Sequence, residues 1–137
     1  MLPLFLGFGA HAHAGLCLEW GEAVKAGALA RSPINEASGM SASALDPNRL
    51  YWINDSGDAG RFYISDLKGG AVRAIQVSGF SPRDTEALAY GPCPGEDGNC
   101  LYIADIGDNL KRRTNIDVIV IREEKKISRR SDATKEN

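Results

Sequence analysis

Histidine is nearly missing from this chain: of 137 residues only His11 and His13 carry an imidazole, and both lie near the start. A Ser-His-Asp triad therefore has no base in the body of the protein, and a transition-metal site has no imidazole ligand there. Cysteine is scarce too, with Cys17, Cys93 and Cys100 alone, and two cysteines without a neighbouring histidine make a poor zinc site. No apolar run approaches the roughly 18 to 20 residues that a membrane-spanning helix requires. No G-x-x-x-x-G-K-[ST] pattern surrounds Lys68-Gly69-Gly70, which reads as a turn rather than a phosphate loop. A basic face is absent as well: Asn35 to Asn109 holds eleven acidic residues against five basic ones, whereas Leu110 to Asn137 holds nine basic against five acidic. An acidic body does not suit nucleic acid; it suits cations.

Turning to what is there, Leu2 to Ala10 is an apolar run that passes into Ala-His-Ala-His-Ala at positions 10 to 14, with small residues where a signal peptidase reads them. Residues 1–14 are thus expected to be a signal peptide cleaved after Ala14, which places the protein outside the cytoplasm, secreted or periplasmic. His11 and His13 would leave with it. Cys93 and Cys100 flank the turn-rich Pro-Gly-Glu-Asp-Gly-Asn between two apolar runs, and are expected to close a disulfide in an oxidising compartment.

Residues 15–34 read as a short amphipathic or irregular lead-in containing Trp20. Seven short apolar runs follow: Met40 to Leu45, Leu50 to Asn54, Arg61 to Asp66, Val72 to Val77, Ala87 to Tyr90, Leu101 to Asp105 and Val118 to Arg122. Turn residues separate them, Asp46-Pro47-Asn48 and Ser56-Gly57-Asp58 among others, so the pattern predicts an all-β fold. Tyr51, Trp52, Tyr63 and Tyr102 at alternating strand positions are expected to pack.

The runs repeat. Leu50 to Asp58 matches Leu101 to Asn109 at an offset of 51, and Ala42 to Pro47 matches Ala87 to Pro92 at an offset of 45, the difference falling in the Cys93 hairpin. A period of about 45 to 50 residues with about four strands per unit is the signature of β-propeller blades. Propellers close with about four to eight blades, and residues 35–124 supply one complete blade and part of a second, an incomplete propeller. The expectation is of a fragment of a longer protein. Residues 125–137 form a polar tail without strand pattern, read as disordered, which is either a premature end or a solvated terminus.

Each unit ends a strand in oxygen-bearing residues, Asn54-Asp55-Ser56-Gly57-Asp58 in the first and Asp105-Ile106-Gly107-Asp108-Asn109 in the second, and Asp84 and Glu86 precede the second unit's first strand. Such clusters either scaffold tight turns or gather the hard oxygen ligands that calcium prefers.

Four strings in order carry a resemblance: Glu36-Ala37-Ser38-Gly39, Asn54-Asp55-Ser56-Gly57-Asp58, Asp84-Thr85-Glu86 and Asp105-Ile106-Gly107-Asp108-Asn109 with Arg112 or Arg113 behind. Over about Glu36 to Arg113 the chain resembles the opening third of a family of secreted, largely uncharacterised six-bladed β-propellers. The broader clan holds calcium-dependent lactonases and esterases and phytase-like enzymes. What the resemblance implies is a calcium ion held by Asn54, Asp55, Asp105, Asp108 and Asn109, with Glu36 and Glu86 as ligands or general base. The parent would be a calcium-assisted hydrolase of an ester, lactone or phosphoester. The alternatives are a non-catalytic secreted scaffold that binds an extracellular ligand, and a truncated fragment without function of its own.

Overall fold

The structure is a computed structural model, and it describes residues 20–126, 130–132 and 134–136. The expected signal peptide, its cleavage at Ala14 and the pairing of Cys17 lie outside the described residues. Within them no helix occurs, and nine strands make two sheets. The first sheet is an antiparallel meander of β1 (Ala37–Ala42), β2 (Leu50–Asn54), β3 (Arg61–Ser65) and β4 (Arg73–Ser78), and the second is a meander of β5 (Thr85–Pro92), β6 (Asn99–Asp105) and β7 (Asp117–Arg122). The all-β reading and its seven strands are thus observed. Two short strands join the outer edges: β8 (Arg130–Asp132) runs parallel to β4, and β9 (Thr134–Glu136) runs antiparallel to β7. They fall in the tail expected to lack strand pattern. Edge pairing draws only on backbone N–H and C=O groups, so a polar sequence does not forbid it.

Alternation decides which side of each sheet is buried. Tyr51, Ile53, Phe62, Ile64, Ile75 and Val77 from the first sheet meet Leu101, Ile103, Ile119 and Ile121 from the second in a single core. The sheets therefore pack face to face, with β1 against β5. Gly39 makes this approach possible, because a Cβ there would stand 2.7 Å from the Leu88 backbone nitrogen. Tyr51 and Tyr63 are fully buried, while Trp52 and Tyr102 are half-buried on the two outer faces.

The internal repeat is a repeat of register as well as of sequence. In β1 the pairing shifts between Ala37 and Gly39, and in β5 it shifts between Thr85 and Ala87, so each first strand carries a bulge at the same place. Gly39 faces Ile53 and Ala87 faces Ala104, which sets the first strands 48 residues apart and the second strands 51. The offset of 45 expected from the sequence is therefore replaced by 48, and the second hairpin is longer by three residues rather than six.

That hairpin is closed by the expected disulfide, Cys93 to Cys100, with Cα atoms 5.0 Å apart. Removing it as Cys93→Ser/Cys100→Ser should lower the unfolding free energy by about 2 kcal/mol, the loop-closure entropy of so short a ring. Denaturant titration of the oxidised chain and the variant measures the difference. Equal midpoints would show that the hairpin holds itself.

A candidate cation site between the two sheets

The residue that ends each second strand points its side chain at the backbone ahead of the first strand. In the first unit Asn54 Oδ1 accepts from Glu36 N at 3.4 Å, while its Nδ2 reaches Pro33 O at 3.0 Å and Asp58 Oδ2 at 3.1 Å. In the second unit Asp105 Oδ1 accepts from Asp84 N at 2.7 Å, and both its oxygens accept from Arg83 N at 3.2 Å. The neighbouring carbonyls bind alike: Asp55 N donates to Glu36 O at 2.9 Å and Gly107 N to Asp84 O at 3.0 Å. Asp84 is thus the counterpart of Glu36, and Glu86 is the counterpart of Ser38.

Three carboxylates meet where the units touch. Asp55, at the end of β2, and Asp84 and Glu86, at the start of β5, each bring an oxygen within 4.8 Å of the others. Asp84 is buried, and its Oδ1 has no hydrogen-bond partner. Its Oδ2 accepts from Asn109 Nδ2 at 3.3 Å. Burial, followed by a hydrogen bond shared with the Asp55 carboxyl and then by the charges of Glu86, Asp55 and Asp105, pushes the Asp84 carboxyl above the usual aspartate range. Gly107 lies against the cluster, where a Cβ would come within 2.4 Å of Asp84 Oδ2 and 2.6 Å of Glu86 Oε1. Glu86 is exposed and Asp55 is half-buried, so the cluster opens to solvent on one side.

Of the seven residues expected from the sequence, Asp55 and Glu86 are in this cluster and Asn109 touches it through Asp84. The other four lie elsewhere. Asp105 is buried and forms an ion pair with Arg113, Nη1 to Oδ1, at 3.0 Å. Burial would push its carboxyl up, but Arg113 and the two backbone donors outweigh it and hold it below the usual range. Asp108 accepts from the backbone of Arg112 at 2.8 Å and of Arg113 at 2.9 Å, which folds the loop that carries Arg113. Asn54 is committed to Glu36 N and the lead-in, and Glu36 is exposed on a separate polar cleft of about 200 Å³ shared with Asn54, Asp58 and Arg61.

Sequence reasoning placed Asp84 beside the site without giving it a role. The signal that finds it is alignment of Glu36-Ala37-Ser38-Gly39 with Asp84-Thr85-Glu86-Ala87, which puts an acid first in both and a bulge at the same place in each.

The donor set is oxygen only, with a buried carboxylate oxygen left over and a glycine cradle holding the acids together, and a hard divalent cation fits it. The second group of ligating types, Cys93, Glu96 and Cys100, has its sulfurs joined to each other and is no metal site. Neither the family models, nor the curated proteins, nor the solved structures compared with this chain include a match to it.

Proposed function

We propose that this chain forms two consecutive blades of a secreted β-propeller and that Asp55, Asp84 and Glu86 hold a calcium ion at their junction. The observation that carries the cation is Asp84 Oδ1, a buried oxygen with no partner, on a carboxylate that lies within ligating distance of two others. Leaving such an atom bare is costly, and a cation satisfies it. Calcium is favoured over magnesium because its irregular oxygen shell tolerates ligands from two separate sheets. The repeated bulge, the matching end-of-strand bonds and the contact of β1 with β5 support the blade reading. The disulfide, and the lack of any helix long and apolar enough to cross a membrane among the described residues, fit a secreted protein.

For the parent, the reading is a hydrolase of an ester, lactone or phosphoester. Bound calcium would polarise the carbonyl or phosphoryl oxygen of such a substrate. Glu86, exposed at the mouth of the cluster, is the carboxylate placed to accept a proton from water. Asp84, buried and fixed through its backbone by Asp105 and Gly107, holds its oxygens still. A second reading has its own support: Asn54, Asp105 and Asp108 spend their oxygens on backbone, as a non-catalytic binding scaffold requires.

Calcium titration followed by calorimetry and thermal unfolding tests the site. At a hundredfold excess over Kd, calcium should add about 2.7 kcal/mol to the unfolding free energy. Asp84→Asn should weaken calcium at least about tenfold, close to 1.4 kcal/mol. Without calcium the same variant should equal or exceed the wild type in stability, since it removes a charge that its surroundings disfavour. A cluster that merely shares a proton would give no response to calcium, and the site would be lost. Hydrolysis of an ester and lactone panel, with and without chelator, separates enzyme from scaffold.

A further inference from the structure

The contact between the two sheets is not symmetric: the first sheet contributes one kind of face and the second contributes the other. On the first sheet the buried side holds Gly39, Tyr51 and Ile53, and on the second it holds Leu88, Leu101 and Ile103. The repeat offsets of 48 and 51 transfer each set onto the other sheet. Gly39, Tyr51 and Ile53 become Ala87, Tyr102 and Ala104, which cross-strand pairing places together on the outer face of the second sheet. Leu88, Leu101 and Ile103 become Met40, Leu50 and Trp52, which lie together on the outer face of the first.

Each outer face thus presents, in apolar residues of other sizes, the positions that correspond to the half of the established contact its own sheet does not use inside the molecule. The close approach itself differs: Gly39 meets Leu88 within, whereas its counterpart Ala87 carries a Cβ, so the outer contact stands wider at that point, opposite an exposed Met40. Both faces are apolar. Met40 is 55% exposed, and an apolar groove of about 520 Å³ runs between Met40, Leu50 and Trp52 and the lead-in at Ala26 to Leu29. On the other side Ala87 and Ala89 are exposed beside the half-buried Tyr102 and Ala104.

We infer that a second copy of this chain docks its first-sheet outer face onto the second-sheet outer face, continuing the stack of sheets head to tail. The partner is committed by continuity with the contact already inside the molecule. Such a heterologous contact leaves a free face at each end of a pair, so association proceeds past two copies, to a ring where the rotation closes and to a filament where it does not.

Sedimentation of the full chain and of two variants tests this. Met40→Lys spoils only the first-sheet face and Ala89→Lys only the second-sheet face, both at exposed positions, and unchanged circular dichroism and melting confirm that each folds. The wild type should gain mass with concentration beyond two copies, and each variant alone should remain a single copy. An equimolar mixture of the two should form pairs and stop there, because one sound face of each kind survives. A wild type that stays monomeric overturns the inference, as does association indifferent to both lysines or a mixture that fails to pair.

Discussion

Truncating Glu123 to Ala should cost the fold about 3 kcal/mol or more of unfolding free energy, although no sequence pattern marks this residue. Glu123 follows β7 and is buried, and its carboxylate accepts hydrogen bonds from the hydroxyls of Ser43, Tyr51 and Tyr90, with Arg49 Nη1 at 3.7 Å. Those partners come from the hairpin of the first sheet and from β5 of the second, so one carboxylate ties both sheets at the end opposite the candidate cation site. Removing it leaves the hydroxyl protons of Ser43, Tyr51 and Tyr90 without their acceptor, while Arg49 keeps its ion pair with Asp46 at 3.0 Å. Each buried donor left without an acceptor costs about 1 to 3 kcal/mol, so three together are a large share of a domain's total of about 5 to 15.

The pH dependence has a definite sign. Burial alone would push the Glu123 carboxyl up; the three hydroxyls and Arg49 outweigh it and hold the carboxyl below the usual glutamate range. A depressed carboxyl lends stability above its unfolded pKa of about 4.3, and that stability is lost as pH falls through the lower folded value. The gap between wild type and Glu123→Gln should therefore be full at neutral pH and close in acid. Tyr51 acts at the other extreme, since burial pushes its hydroxyl up to about 12 from an ordinary 10. Its contribution is complete below pH 10 and fades as pH rises through about 12. Urea titrations across pH measure both windows. A Glu123→Ala chain as stable as the wild type, or a gap that widens in acid, would remove Glu123 from this role.

Short apolar runs bounded by turn residues made the strands legible, and did so best where both faces are apolar. β2 spans Leu50–Asn54 as expected, while β1 lies at Ala37–Ala42 rather than Met40 to Leu45. The displacement has a local cause: Ser43 Oγ accepts from Leu45 N at 3.1 Å and Asp46 N at 2.9 Å, turning the chain before the apolar Ala44-Leu45 can extend the strand. At its other end the bulge adds a residue that alternation cannot register. The repeat offset moved for another reason: β5 runs on to Pro92 while β1 stops at Ala42, so matching their ends gave 45 instead of 48 and hid the match of Asp84 to Glu36. Glu123 was illegible for a different reason. Its partners Ser43, Tyr51 and Tyr90 stand 80, 72 and 33 residues away, and a glutamate after a strand looks like a solvated end. The oxygen-rich corners were found by composition, but composition cannot say which oxygens turn inward to hold backbone, as those of Asp105 do, and which are left facing one another, as at Asp84.

Gly107→Ala should strike the candidate cation site from the side of space rather than charge. The Gly107 backbone does not adopt the left-handed conformation, so an alanine suffers no backbone strain there and only its methyl matters. That methyl would stand 2.3 Å from Asp84 Cγ, a separation at which something must move, and Asp84 is pinned through its own backbone to Asp105 and to Gly107 N. Overpacking of this kind costs about 1 to 3 kcal/mol. Calcium affinity should fall at least about tenfold as well, because the carboxylate that must yield is the one that carries the site. The double change with Asp84→Ala isolates the cause. Cutting Asp84 back to Cβ removes the colliding atoms, and Glu86, being exposed, can swing aside, so most of the stability cost of Gly107→Ala should vanish in that background. Contacting residues couple by about 0.5 to 3 kcal/mol in such cycles, whereas independent ones add. Strict additivity would mean that the glycine serves the turn alone, and that the gathering of Asp55, Asp84 and Glu86 owes nothing to the space it leaves.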